Sequence, residues 1–82
     1  MKIPRDIGGE ALIRLLGKFG YAVTRQTGSH VRLTSSARET EHHITVPRHN
    51  PLRVGTLSGI LKDVASYLEI DPQQFISDFF KK

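Results

Sequence analysis

Apolar residues recur at two different spacings along this chain, and the spacing divides it into elements. Leu12, Leu15, Leu16 and Phe19 fall three or four residues apart, which predicts a helix from about Gly9 to Phe19. Glu10 near its start and Lys18 near its end suit the helix dipole, and Gly20 is placed to end it. The pattern then changes. Tyr21–Gln26 is rich in aromatic and β-branched residues and predicts a strand. Thr27-Gly28 predicts a short turn and Ser29–Thr34 a second strand, which together make a hairpin. Residues 35–41 are polar without a buried pattern and predict a loop. In His42–Pro47, a third strand, Ile44 and Val46 alternate with His43 and Thr45. Pro47 and Pro51 frame an extended connection, because each disfavours helix at the residue before it. Helical spacing returns with Leu57, Ile60, Leu61, Val64 and Leu68, predicting a second helix from about Thr56 to Leu68 with Thr56 as its N-cap. Asp71, Pro72 and Gln74 supply an N-cap, a first-turn proline and a capping-box partner for a third helix, whose apolar face is Phe75, Ile76, Phe79 and Phe80. Residues 1–8, with Pro4 and the Gly8-Gly9 pair, read as an irregular lead-in.

The order α-β-β-β-α, followed by a short helix, predicts one α+β domain over residues 1–82. A three-stranded antiparallel sheet with helices on one face leaves its other face open. With Val31, Leu33, Ile44 and Val46 toward the helices, alternation assigns His30, Arg32, Thr34, His43 and Thr45 to the open face. If Thr34 pairs with His43, then Arg32 faces Thr45 and His30 faces Pro47, so the second strand begins beside Pro47-Arg48-His49. A slip of one residue would reverse the faces. Further on, Gly55-Thr56 stands at a predicted helix start, where free backbone N–H groups favour an anion.

Charge adds a direction to this picture. The chain has 82 residues, a formal charge of +4 and a pI near 9.9. Residues 1–53 carry nine Lys/Arg against four Asp/Glu, whereas residues 54–82 carry three against four. Basic charge concentrated in one part of a small domain suits a polyanion such as RNA. The absence of cysteine excludes a disulfide framework and a thiolate metal site. No apolar run is long enough to span a membrane and no signal-peptide pattern opens the chain, so a cytoplasmic protein is expected.

Two imidazoles and several guanidinium groups gathered at one end of the sheet are suited to RNA cleavage without a metal. A neutral imidazole takes the proton of a ribose 2′-hydroxyl, which attacks the adjacent phosphorus; a second group protonates the leaving 5′-oxygen, and arginine offsets the growing negative charge. His30 is the candidate base, Arg32 and Arg48 are candidate phosphate contacts, and His49 or a nearby cation is the candidate acid. Plainer readings stand beside these. A lone histidine at a strand start is commonly a surface residue, and His42-His43 reads as solvated strand-edge polarity. His42, His43 and His49 could meet around a metal, but with no HExxH pair or carboxylate cluster, no metal or other cofactor is expected. Ser29 lacks the nucleophile-elbow context of a hydrolase. Phe75, Phe79 and Phe80 read as packing rather than as a base-stacking platform.

The ordered set of the first helix, Gly28-Ser29-His30, Ile44-Thr45-Val46-Pro47-Arg48-His49, Gly55-Thr56-Leu57 and Ile60-Leu61 resembles the HicA (YcfA-like) toxin family of small bacterial mRNA interferases, over about residues 9–68. The resemblance implies a fold like a double-stranded-RNA-binding domain, in agreement with the order read above. It also implies a metal-independent endoribonuclease acting on mRNA, with its catalytic histidine in the glycine-led motif, here His30 beside Gly28 and Ser29. A HicB-type antitoxin is implied as the partner that masks this site, and Pro47-Arg48-His49 matches a second motif that would form the site wall. Two departures shape the expectation. Only Arg53 and Lys62 flank the second helix, which also carries Asp63, so a single strand is expected rather than duplex grooves. The segment 69–82 extends past the usual short toxin, and its Phe-rich face can complete the core, form a homodimer or meet the antitoxin. The alternative function on the same fold is a non-catalytic RNA-binding module.

Overall fold

Leu12 and Leu16 lie one turn apart and are fully shielded from solvent, anchoring the first helix, α1 (Gly9–Gly17), to the rest of the chain. This computed structural model describes residues 6–80, so the expectation for the lead-in around Pro4 lies outside the described residues. α1 ends two residues earlier than its apolar spacing predicts. Lys18, Phe19 and Gly20 donate to carbonyls three residues back, a tighter turn that Gly20 closes at φ +94°. Phe19 is thereby turned toward the last helix.

Three antiparallel strands follow: β1 (Tyr21–Thr27), β2 (His30–Ser35) and β3 (His42–Pro47), in the spatial order β1-β2-β3. The β2–β3 register is the one the apolar alternation requires: His30 faces Pro47, Arg32 faces Thr45 and Thr34 faces His43. Val31, Leu33, Ile44 and Val46 are buried on the helix side, while His30, Arg32, His43 and Thr45 are exposed on the other. Two boundaries differ from expectation. The hairpin turn is Gly28-Ser29 rather than Thr27-Gly28, so Ser29 belongs to the turn and His30 opens the strand. Ser35, expected in the loop, ends β2 with its side chain fully buried, and its hydroxyl accepts the Ala37 N–H at 3.2 Å.

The second helix, α2 (Val54–Leu68), starts two residues before Thr56. Arg53 occupies the N-cap position without a side-chain cap, so Thr56 sits inside the first turn rather than capping it. α2 ends at a left-handed Glu69, with Ile70 N–H bonded to the Ala65 carbonyl at 3.0 Å. In the last helix, α3 (Pro72–Phe79), the Asp71 carboxylate caps by accepting the Gln74 N–H at 3.1 Å. The Gln74 side chain bonds onward to Asp78 rather than back to Asp71, so the capping box is half formed.

Phe75, Ile76 and Phe79 of α3 are buried in the same cluster as Leu12, Leu33, Val46 and Leu61. Each such side chain contributes roughly 1.5–3 kcal/mol by burial. Phe19 meets Phe75 and Phe79 at ring separations of 5.2 and 5.1 Å. Of the three roles open to the Phe-rich face, it takes the first: it completes the core, which leaves those three side chains unavailable to a dimer interface or an antitoxin. No described helix is long and apolar enough to cross a membrane.

Candidate active site

A two-residue turn presents His30. Of Gly28 and Ser29 only Gly28 has a positive φ, +56°, in the first central position, which is the pattern of a type II′ hairpin turn. A side chain at Gly28 would meet no neighbouring atom, so the glycine is needed for its backbone conformation rather than for space. His30 follows as the first residue of β2, paired with Thr27 on one side and Pro47 on the other. It is exposed and, among the described residues, has no side-chain hydrogen bond or ion pair. Both ring nitrogens can therefore meet a ligand.

Behind His30 the open face is built in rows. Arg32 lies between Arg25 and Thr45, and Thr34 between Ala22 and His43. The Thr34 hydroxyl is 2.9 Å from the Thr24 hydroxyl and 2.8 Å from His43 Nδ1, so a short hydrogen-bonded chain crosses all three strands. His43 Nε2 is 3.8 Å from Glu41 at the far end of the face from His30.

The Pro47-Arg48-His49 segment is held against the hairpin and α1 by backbone. Arg48 N–H donates to the Ser29 carbonyl at 2.7 Å, and Gly9 N–H donates to the His49 carbonyl at 2.8 Å. The contact at Gly9 is close enough that a Cβ there would lie 2.2 Å from the Pro47 carbonyl oxygen, so only glycine fits. The side chains turn away from His30. The Arg48 guanidinium pairs with the Glu10 carboxylate through Nε and Nη2. His49 lines a recess of about 270 Å³ with Gly9, Arg14, Arg48 and Asn50, and His30 is outside it. The structure thus brings the backbones of the two sequence motifs together, leaves Arg32 without a side-chain partner among the described residues, and engages Arg48 elsewhere.

The family model for the HicA toxin of bacterial toxin–antitoxin systems matches residues 9–65. The chain belongs to that family. The match runs from the start of α1 into α2, so both the His30 hairpin and the Pro47–His49 segment of this HicA toxin fall within it, whereas α3 lies beyond. Comparisons with curated proteins and with solved structures give no match.

A second histidine site in the HicA toxin escaped the sequence reading. His42 does not sit in strand-edge solvent: its ring stacks on Tyr67 of α2 at 4.7 Å and 14°, and its side chain is 17% exposed. Nδ1 lies 2.7 Å from the Tyr21 hydroxyl and Nε2 lies 3.2 Å from Asp63. Burial raises the pKa of the Tyr21 hydroxyl, and the Tyr67 and Asp63 charges add to the shift, so Tyr21 stays protonated against Nδ1. Asp63, which looked out of place in a basic RNA-binding helix, is explained by its contact with His42. Tyr67 in turn donates to the Thr40 carbonyl at 2.5 Å and accepts the Arg38 N–H at 2.9 Å, which ties the 36–41 loop to α2. His42 and His43 point to opposite faces, and among the described residues no three His, Asp or Glu side chains gather as a metal ligand set. One signal could have found the site: His42 has the same strand parity as Ile44 and Val46, and Asp63 and Tyr67 share a helix face at i and i+4.

Proposed function

We propose that this chain is an endoribonuclease toxin that cleaves mRNA in the cytoplasm without a metal and is restrained by a HicB-type antitoxin covering the open face. The observation that carries the reading is His30 itself: an imidazole fixed by a tight turn, exposed, with no partner among the described residues, one row from the free guanidinium of Arg32.

In this mechanism neutral His30 accepts the 2′-hydroxyl proton, and the 2′-oxygen attacks the adjacent phosphorus. Arg32, one same-face step behind His30, holds the RNA strand by a phosphate. The P–O5′ bond breaks as the leaving oxygen takes a proton from water, since the Arg48 and His49 side chains face away from His30. The products are a 2′,3′-cyclic phosphate and a 5′-hydroxyl. Arg48 is already paired with Glu10, so it serves as site wall in the free protein and reaches a phosphate only by exchanging that partner.

Expression of wild-type and His30→Ala protein in cells, followed by growth and mRNA integrity, tests the reading. Wild type is expected to arrest growth and fragment mRNA, and the variant to do neither; equal toxicity would remove His30 from the chemistry. Purified protein that retards RNA but yields no cyclic-phosphate ends would instead identify the non-catalytic RNA-binding module.

A further inference from the structure

Tyr21 and Arg25 lie four residues apart in one strand, and in a regular strand both would point to the same face. They do not. Tyr21 is buried on the helix side, whereas Arg25 is exposed opposite Arg32. The β1–β2 ladder steps from Val23–Leu33 directly to Arg25–Arg32, with Thr24 as an extra residue whose hydroxyl reaches Thr34 over the open face. Without this bulge, β1 could bury Tyr21 or present Arg25, but not both; bulges re-aim side chains in this way.

The outcome has an electrostatic cost. Like charges directly opposite in a sheet destabilise the pair, and the other neighbour of Arg32 is the neutral Thr45. Among the described residues neither Arg25 nor Arg32 has an ion-pair partner, in contrast to Arg38 with Glu69 and Arg48 with Glu10. Two guanidinium forks on adjacent strands about 4.8 Å apart can flank one phosphate, each offering paired N–H donors to its oxygens. The pair stands one same-face step, roughly 6.7 Å, from the His30 row. That step is comparable to the advance from one phosphate to the next along an extended strand.

We propose that Arg25 and Arg32 form a clamp for a single RNA phosphate, the neighbour of the one at which His30 acts, on a single strand lying along the open face. The clamp rests on RNA being the substrate but not on cleavage. Arg25 is a positioning residue: it holds the strand and takes no part in bond-making.

Affinity for short single-stranded RNA, measured across a salt series with full-length His30→Ala protein, separates the two ideas. In that background Arg25→Gln and Arg32→Gln should each weaken binding roughly tenfold. The double variant should flatten the slope of log affinity against log salt by about 0.7, the increment for one single-strand phosphate contact. Arg25→Lys should keep the salt slope while losing part of the affinity, and Lys62→Gln on α2 should change neither. Melting temperatures of Arg25→Gln and Arg32→Gln should equal or exceed that of the parent, since each relieves a repulsion. Unchanged RNA affinity in Arg25→Gln overturns the clamp, even if wild type cleaves RNA. Loss of binding to an acidic partner protein with RNA affinity intact also overturns it and reassigns the pair. Arg25-dependent RNA binding by a protein that never cleaves would uphold the clamp and remove the nuclease reading.

Discussion

His30 opens β2 and His42 opens β3, yet the two imidazoles sit in opposite surroundings. Both ring nitrogens of His42 have a partner, Tyr21 at one and Asp63 at the other, and the Tyr67 ring lies against its face. His30 has none of these among the described residues. A saturated, largely buried histidine spends its hydrogen-bonding capacity on fastening β1, β3 and α2 together. An unsaturated, exposed one keeps that capacity for a ligand. Residue type alone would rank the two equally.

The sharpest way to break the contrast is to exchange the phenotypes. His30→Ala should lower RNA cleavage roughly a hundredfold to ten-thousandfold, the usual contribution of a positioned base, and leave the melting temperature unchanged. His42→Ala should do the reverse, losing about 1–3 kcal/mol of stability while the folded fraction stays active. Chemical denaturation and a single-turnover cleavage assay on both variants decide it; destabilisation by His30→Ala would erase the distinction.

Gly9→Ala probes the support beneath the Arg48-His49 segment. Its new methyl would collide with the Pro47 carbonyl, so a destabilisation of about 1–3 kcal/mol is expected, together with displacement of the Arg48-His49 segment. Amide chemical shifts of Ser29 and Arg48 report the displacement.

At the His42 site the raised pKa of Tyr21 predicts a pH dependence. Its folded-state value lies above the unfolded one, so the stabilisation is complete below about pH 10 and is lost as pH rises above that, where the unfolded chain deprotonates first. Tyr21→Phe should be less stable than wild type at neutral pH, and the gap should narrow under alkaline denaturation. A constant gap would contradict the assignment. The smallest effect is expected at Glu10→Gln, which frees Arg48: stability should change by less than about 1 kcal/mol, and RNA affinity at low salt should rise.

The sheet register was legible because Val31, Leu33, Ile44 and Val46 cannot face water together, and a single loop length then sets every β2–β3 pair. The open-face position of His30 followed from it. The turn was displaced by one residue because Gly28 can serve either position of a tight turn, and the β1–β2 register, shifted at Thr24, chooses between them. The α2 start was misplaced because Thr56 is a good cap by type, while the chain enters the helix at Arg53 without any side-chain cap. The bulge at Thr24 left no local mark: it answers a conflict between a buried Tyr21 and an exposed Arg25 that exists only once the sheet is assembled. The Glu10–Arg48 pair was invisible for a similar reason, since it joins residues 38 apart in sequence.

The same bulge bears on how the protein avoids sticking to itself. In the order β1-β2-β3 both outer strands have, among the described residues, an edge paired to no further strand, the kind of template on which chains aggregate. On β1 the bulge breaks the flat run of N–H and C=O groups and Arg25 adds a repelling charge; on β3 the edge ends at Pro47, which has no N–H to give. A sheet with one face open to solvent is thus guarded along its sides.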